Sequence, residues 1–221
     1  MIPVLYEDNH LLVVEKPVNM PVQADTSEDA DVLSALKQYL KDRYSKPGNV
    51  YLGLVHRLDR PVGGVMVFAR TSKAASRLSE SVRNRQMEKE YLAVLDGVCK
   101  TEEGRLEDWL GKNTRENTAY VTDREHGKYA ALSYRVLAVR DHKTLVRIRL
   151  ETGRPHQIRI QFASRGLPLV HDQRYNKNAS KGQIALYACR LTFPHPVKKE
   201  EVSFSHLPPA KYPWNLFDIE L

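Results

Sequence analysis

Between Thr144 and Glu151 the chain alternates with a period of two. Val146, Ile148 and Leu150 are apolar, whereas Arg147, Arg149 and Glu151 are charged. A strand turns successive side chains to opposite faces, so this stretch has one face for a core and one for water or a charged partner. A helix would mix the two sets. Ala131 to Val139 precedes it across Arg140-Asp141-His142-Lys143, and the pair predicts a hairpin. Further strands are expected at His10 to Glu15, Val50 to Val55, Val65 to Ala69, Glu90 to Val98, Thr101 to Trp109 and Gln183 to Phe193.

Helical spacing is confined to three places. Val32, Leu33, Leu36, Tyr39 and Leu40 mark a helix over Ala30 to Tyr44, ended by Lys46-Pro47-Gly48-Asn49. Thr71 or Ser72 can cap a second helix, running to about Asn84 with Ala74, Ala75, Leu78 and Val82 inward. Pro155 suits the first turn of a third, running to about Ser164. The fold class expected is α+β, mainly antiparallel sheet with few helices, in one domain over residues 1–221 without repeats or a disordered linker.

Composition narrows the function. The longest plainly apolar stretches, such as Leu11-Leu12-Val13-Val14, are too short to span a bilayer, and MIPVLYEDNH has no export signal. Cys99 and Cys189 have no metal-ligand spacing and fit a reduced, cytoplasmic protein. No heptad signals assembly, so a monomer is expected. The net charge of +7 is concentrated: Arg140 to Lys181 holds ten Lys/Arg and three acids, a net +7 by itself. That is either a solvated basic face or the footprint of a polyanion such as RNA or DNA.

Three groups of residues are equipped for chemistry. In HRLDRPVGGVMVFAR, Asp59 stands between Arg57 and Arg60, which favour its charged form. Such a carboxylate is a salt-bridged loop residue, a nucleophile or a charge stabiliser. In TGRPHQIRIQF, His156 and Arg159 are three apart, on one face if helical, and form an anion site with Arg154 or an ordinary basic helix; Arg159 is alternatively a partner for a distant carboxylate such as Asp59. In EKEYLAVLDG, Tyr91 on a strand is a core residue or a base-stacking platform. Nucleotide-binding glycine loops and zinc or serine-hydrolase motifs are absent.

Together these stretches resemble the RluA-type RNA pseudouridine synthases. EDNHLLVVEKPVNMPVQ is similar to the family's opening strand and Lys-Pro turn, HRLDRPVGGVMVFAR to its catalytic motif, KEYLAVLDG to its tyrosine motif, LETGRPHQIRIQFASRGLPLVHDQRY to its arginine motif, and LTFPHP to its closing strand. The ordered set spans roughly Val4 to Pro209. The resemblance implies a bent, mainly antiparallel mixed sheet with flanking helices around a central RNA-binding cleft. It implies isomerisation of uridine in ribosomal or transfer RNA, with no cofactor and no metal. Asp59 would be the catalytic aspartate, Tyr91 the tyrosine packed on the target base, Arg159 the partner of the aspartate, and Arg57 the wedge that fills the gap left by the extruded nucleotide. His56, Arg154, His156 and Gln157 would contact RNA.

Three positions depart from the family pattern. Val62-Gly63-Gly64 stands where Thr-Ser-Gly is common, Pro155 where threonine is usual, and His171-Asp172 where Gly-Asp is usual. The frequent accessory N-terminal RNA-binding module is not seen, so RNA binding would rest on the catalytic domain. Two rival readings remain, a catalytically silent RNA-binding or ribosome-assembly factor and a nucleic-acid glycosylase.

Overall fold

The computed structural model describes residues 2–221. In chain order the elements are β1 (Val4–Glu7), β2 (Leu11–Lys16), α1 (Val32–Arg43), β3 (Gly53–Leu54), β4 (Gly63–Ala69), α2 (Ser72–Arg83), β5 (Glu88–Asp96), β6 (Glu103–Asn113), β7 (Thr118–Thr122), β8 (Lys128–Arg140), β9 (Lys143–Leu150), α3 (Gln157–Ala163), β10 (Leu186–Pro194) and β11 (Glu201–Ser205), followed by a 3₁₀ turn at Trp214–Leu216. The class is α+β. They form two compact units. The first holds residues up to Glu88 and Ala188–His206, and the second Lys89–Tyr187 and Leu207–Leu221. No helix is long and apolar enough to cross a membrane, and no group of three or more metal-ligating side chains occurs among the described residues.

The first unit is built on β1-β2-β4-β10, with β3 on β4 and β11 on β10. β2 pairs antiparallel with β4 in the register Val13↔Val67. Leu11, Val13, Val65, Val67 and Ala69 present one buried face, and Ala74 and Leu78 of α2 pack on it. Thr71 caps α2 by accepting from the Ala74 N–H at 3.1 Å, and Asp31 caps α1 by accepting from Ser34 at 2.9 Å; each cap is worth about 1 kcal/mol. Gly64 is required by a close approach. Its φ is +126°, and a Cβ there would stand 2.7 Å from the Ala188 nitrogen on β10.

The second unit is an antiparallel sheet in the order β5-β9-β8-β6-β7. The expected hairpin is β8–β9, with Arg140↔Lys143 at its turn. Tyr91 of β5 and Tyr134 of β8 both face Ile148 of β9. The Tyr134 ring meets Phe162 of α3 edge-on at 5.4 Å, so Tyr91 lies on the α3 side of the sheet.

Several local expectations need correction. The strand expected over Val50 to Val55 shrinks to Gly53–Leu54. Edge strands β1, β7 and β11 were not anticipated, although Val202 and Phe204 of β11 do alternate with exposed neighbours. The third helix starts at Gln157, not Pro155. Arg154-Pro155-His156-Gln157 is a turn closed by the Gln157 N–H on the Arg154 carbonyl at 3.2 Å, with His156 at φ +52°. Proline at the second place and a positive φ at the third are what a type II turn selects. His156 and Arg159 therefore do not share a helical face.

Candidate active site

The Asp59 loop joins β3 to β4. Its residues alternate inward and outward. His56 and Leu58 are buried, Arg57 is exposed and Asp59 is half-buried. His56 is 8% exposed, and its Nε2 accepts from the Val67 N–H at 3.1 Å. A backbone N–H needs a lone pair opposite it, so this imidazole is neutral with its proton on Nδ1. His56 thus pins the loop to β4. Arg57 makes no hydrogen bond or ion pair among the described residues.

The turn after Asp59 is braced twice. The Asp59 carbonyl accepts from the Val62 N–H at 2.9 Å. Beneath it lies Lys16, 0% exposed, whose ammonium donates to the carbonyls of Pro17 (2.8 Å), Arg60 (3.0 Å) and Val62 (2.8 Å). Three donors meet three acceptors. Burial pushes the Lys16 amine down to about 8, against the opposing pull of the Asp59 charge. A lysine that ends an apolar run just before proline is therefore a support of the Asp59 loop, a role sequence reading missed by treating Lys16-Pro17 as a strand stop. Val62 is buried, so at that position the side chain packs and only the backbone serves the turn.

Arg60 is committed elsewhere. It donates to the Asn19 carbonyl (3.2 Å) and Ser27 Oγ (3.1 Å) and pairs with Asp29, holding the 19–29 segment. It is exposed, so the pair adds little stability. Its guanidinium holds the Asp29 carboxyl, a bonded partner, below the usual range.

In the second unit Tyr91 is 7% exposed. Arg159 is gripped by Asp172 through two parallel bonds, Nε to Oδ2 at 2.8 Å and NH2 to Oδ1 at 2.6 Å. Both side chains are buried. Asp172 Oδ1 also accepts the backbone N–H groups of Arg174 (3.1 Å) and Tyr175 (3.3 Å), which fix the carboxylate. The Arg159 guanidinium lies 5.0 Å over the Tyr175 ring. Tyr175 Oη accepts from the Ala119 N–H at 2.7 Å and meets His156 Nδ1 at 2.8 Å, which aims the imidazole. Neither Asp172 nor Tyr175 was singled out from the sequence as a support. The signal was present in HDQRY, an acid beside a turn, but nothing in its spacing names Arg159 as partner.

Gln157 is 3% exposed. Its oxygen accepts from Thr152 Oγ1 (2.8 Å) and the Arg154 N–H (3.0 Å), and its nitrogen donates to the Ala131 carbonyl (2.9 Å). This amide ties the Arg154 loop to β8. Arg154 Nε donates to the Tyr129 carbonyl at 2.9 Å. The basic block is also less free than its net charge suggests, because Asp108, from outside it, pairs with Arg165.

His171 explains one departure from the family pattern. Its φ is +59°, where glycine is at home. The ring lies against Gly182, where a Cβ would be 2.6 Å from Cδ2, and meets Tyr212 edge-on at 5.6 Å. These contacts offset the strain. His171→Ala keeps the strain and loses the ring, so it is expected to unfold at lower urea than His171→Gly, by about 1 kcal/mol. Equal midpoints would mean that the strain costs nothing.

The family model described as RNA pseudouridylate synthase matches residues 10–164, a span containing Asp59, Tyr91 and Arg159. The chain belongs to the RNA pseudouridylate synthase family. A "Ribosomal large subunit pseudouridine synthase D" of Yersinia pestis is 35% identical over 88% of this chain and 63% of its own length. An "Uncharacterized RNA pseudouridine synthase" of Aquifex aeolicus is 32% identical over 99% of this chain and 69% of its own. The chain thus spans about two thirds of the length of these relatives. The solved structure titled "Human RNA Pseudouridylate Synthase Domain Containing 4" shares the fold, with a TM-score of 0.79 over 94% of this chain and 88% of that one at 23% identity.

Proposed function

We propose that this protein converts uridine to pseudouridine in RNA, with ribosomal large-subunit RNA as its substrate. The observation that carries the reading is the Asp59 loop, with Asp59 half-buried and the turn after it braced from below by Lys16. The reaction breaks the bond from ribose C1′ to uracil N1, turns the base and joins C1′ to C5. The C5 proton is lost and N1 gains one, so the product is an isomer and no redox partner or group donor is consumed.

A stacked uridine is out of reach, and extruding it costs about a few kcal/mol. Arg57, exposed and uncommitted, fills the vacancy. Asp59 attacks C1′ or assists loss of the base by a glycal route. Tyr91 holds the detached uracil as it turns, and Arg159 serves as the partner of Asp59. Arg154 and His156 contact the RNA, while His56 and Gln157 act by positioning the two loops. The protein works as a monomer in the cytoplasm, where Cys99 and Cys189 stay reduced.

The test is pseudouridine mapping across ribosomal and transfer RNA in a deletion strain, with and without the wild-type gene. A site in large-subunit RNA lost on deletion and restored by the gene is expected. Purified protein that releases free uracil from the transcript would make it a glycosylase. Tight RNA binding with no product would make it a silent binding factor.

A further inference from the structure

Lys89 is a half-buried cation of the second unit to which the fold gives no partner among the described residues. It stands on β5 two residues before Tyr91, and strand alternation turns both side chains to the α3 side of the sheet. Among the described residues its ammonium has no hydrogen bond and no ion pair. Burial alone pushes its pKa below the ordinary lysine range. The contrast with its neighbours is sharp. Arg159 has Asp172, Arg165 has Asp108, and Lys16 in the first unit has three carbonyls. A desolvated ammonium without an anion costs stability, and a fold that keeps one gains only if a ligand supplies the anion.

The approach to that ammonium is also visible. Gly153 is exposed, and a Cβ built there would meet only Lys89 Nζ, at 4.0 Å. Gly153 is therefore the thin cover over Nζ, and it leads directly into Arg154. RNA carries one anion per nucleotide, on its backbone. We propose that Lys89, reached past Gly153, binds a backbone phosphate of the RNA beside the uridine held at Tyr91. The inference rests on the reading that RNA is the substrate and adds a phosphate subsite to it.

The test uses the full chain and an in vitro transcript of large-subunit ribosomal RNA, with affinity measured between about 50 and about 200 mM salt. Lys89→Met is expected to weaken binding and to flatten the plot of log affinity against log salt by roughly 0.7–0.9, the contribution of one phosphate contact. Lys89→Arg keeps the slope. Lys89→Met is also expected to melt at a higher temperature than the wild type, because it removes an unpaired, half-buried charge. Inorganic phosphate, titrated while the Lys89 Nζ resonance is followed by NMR, raises the pKa of Lys89 in the wild type. An unchanged salt slope, a lowered melting temperature or a phosphate-insensitive Lys89 would overturn the proposal. None of these readouts needs turnover. A protein that fails to make pseudouridine yet passes them loses the proposed reaction and keeps the phosphate site.

Discussion

Asp59→Asn is expected to abolish pseudouridine formation, by at least about 10⁴-fold, the scale on which removing an essential side chain of an active site acts, while the fold survives. The two halves of that expectation come from different atoms of one residue. The backbone carbonyl of Asp59 closes the turn with Val62, and this bond is untouched by the substitution. Asp59 is half-buried as a residue, so the substitution should cost no more than about 1 kcal/mol. A second readout reports whether the charge was present. The Asp59 charge props up the Lys16 amine, which burial otherwise lowers to about 8. Without it, Lys16 gives up its proton at lower pH. The ordinary lysine value is 10.5, so between about 8 and 10.5 the unfolded chain binds a proton that the folded chain has released. Stability from this group therefore rises with pH across that window, and Asp59→Asn extends the window downward. Wild-type product from Asp59→Asn would remove Asp59 from the chemistry. An unmoved Lys16 titration would show that the two groups do not sense each other.

The fold was legible where hydrophobic period and local chemistry agreed. The alternation of Val146, Ile148 and Leu150 fixed β9, and Arg140-Asp141-His142-Lys143 fixed its turn. Thr71 declared a helix start through its hydroxyl. What stayed hidden was held by contacts distant in the chain. β7 is only five residues long, and Tyr120 reaches across to lie over Gly111 of β6. Asp172 is thirteen residues beyond Arg159, in a loop without periodicity that folds back on α3. Lys16 finds Arg60 and Val62 only because β2 and β4 pair. A count of charges along the chain does not show which arginines the fold has already neutralised. The catalytic candidates were readable because the motif keeps each reactive residue beside its own turn or strand. Their supports were not, because each comes from another element.

That division makes the Arg159–Asp172 pair the most informative place to separate support from chemistry. Asp172→Ala is expected to destabilise the protein by about 3–5 kcal/mol, since it strands a buried guanidinium and leaves the Arg174 and Tyr175 N–H groups without their acceptor. Urea unfolding measures that loss. Activity measured well below the melting temperature should fall as well, because a guanidinium released from its fork no longer points in one direction. Arg159→Met alone should also be inactive and destabilised, now by an unpaired Asp172. The double variant Arg159→Met/Asp172→Leu decides the matter. Replacing both members of a buried ion pair with apolar groups of similar size is often neutral, so stability should recover most of what either single change loses. If Arg159 serves only to hold the loop, activity returns with stability. If Arg159 acts beside the reacting uridine, the double variant folds like the wild type and makes no pseudouridine, and that is the expected outcome.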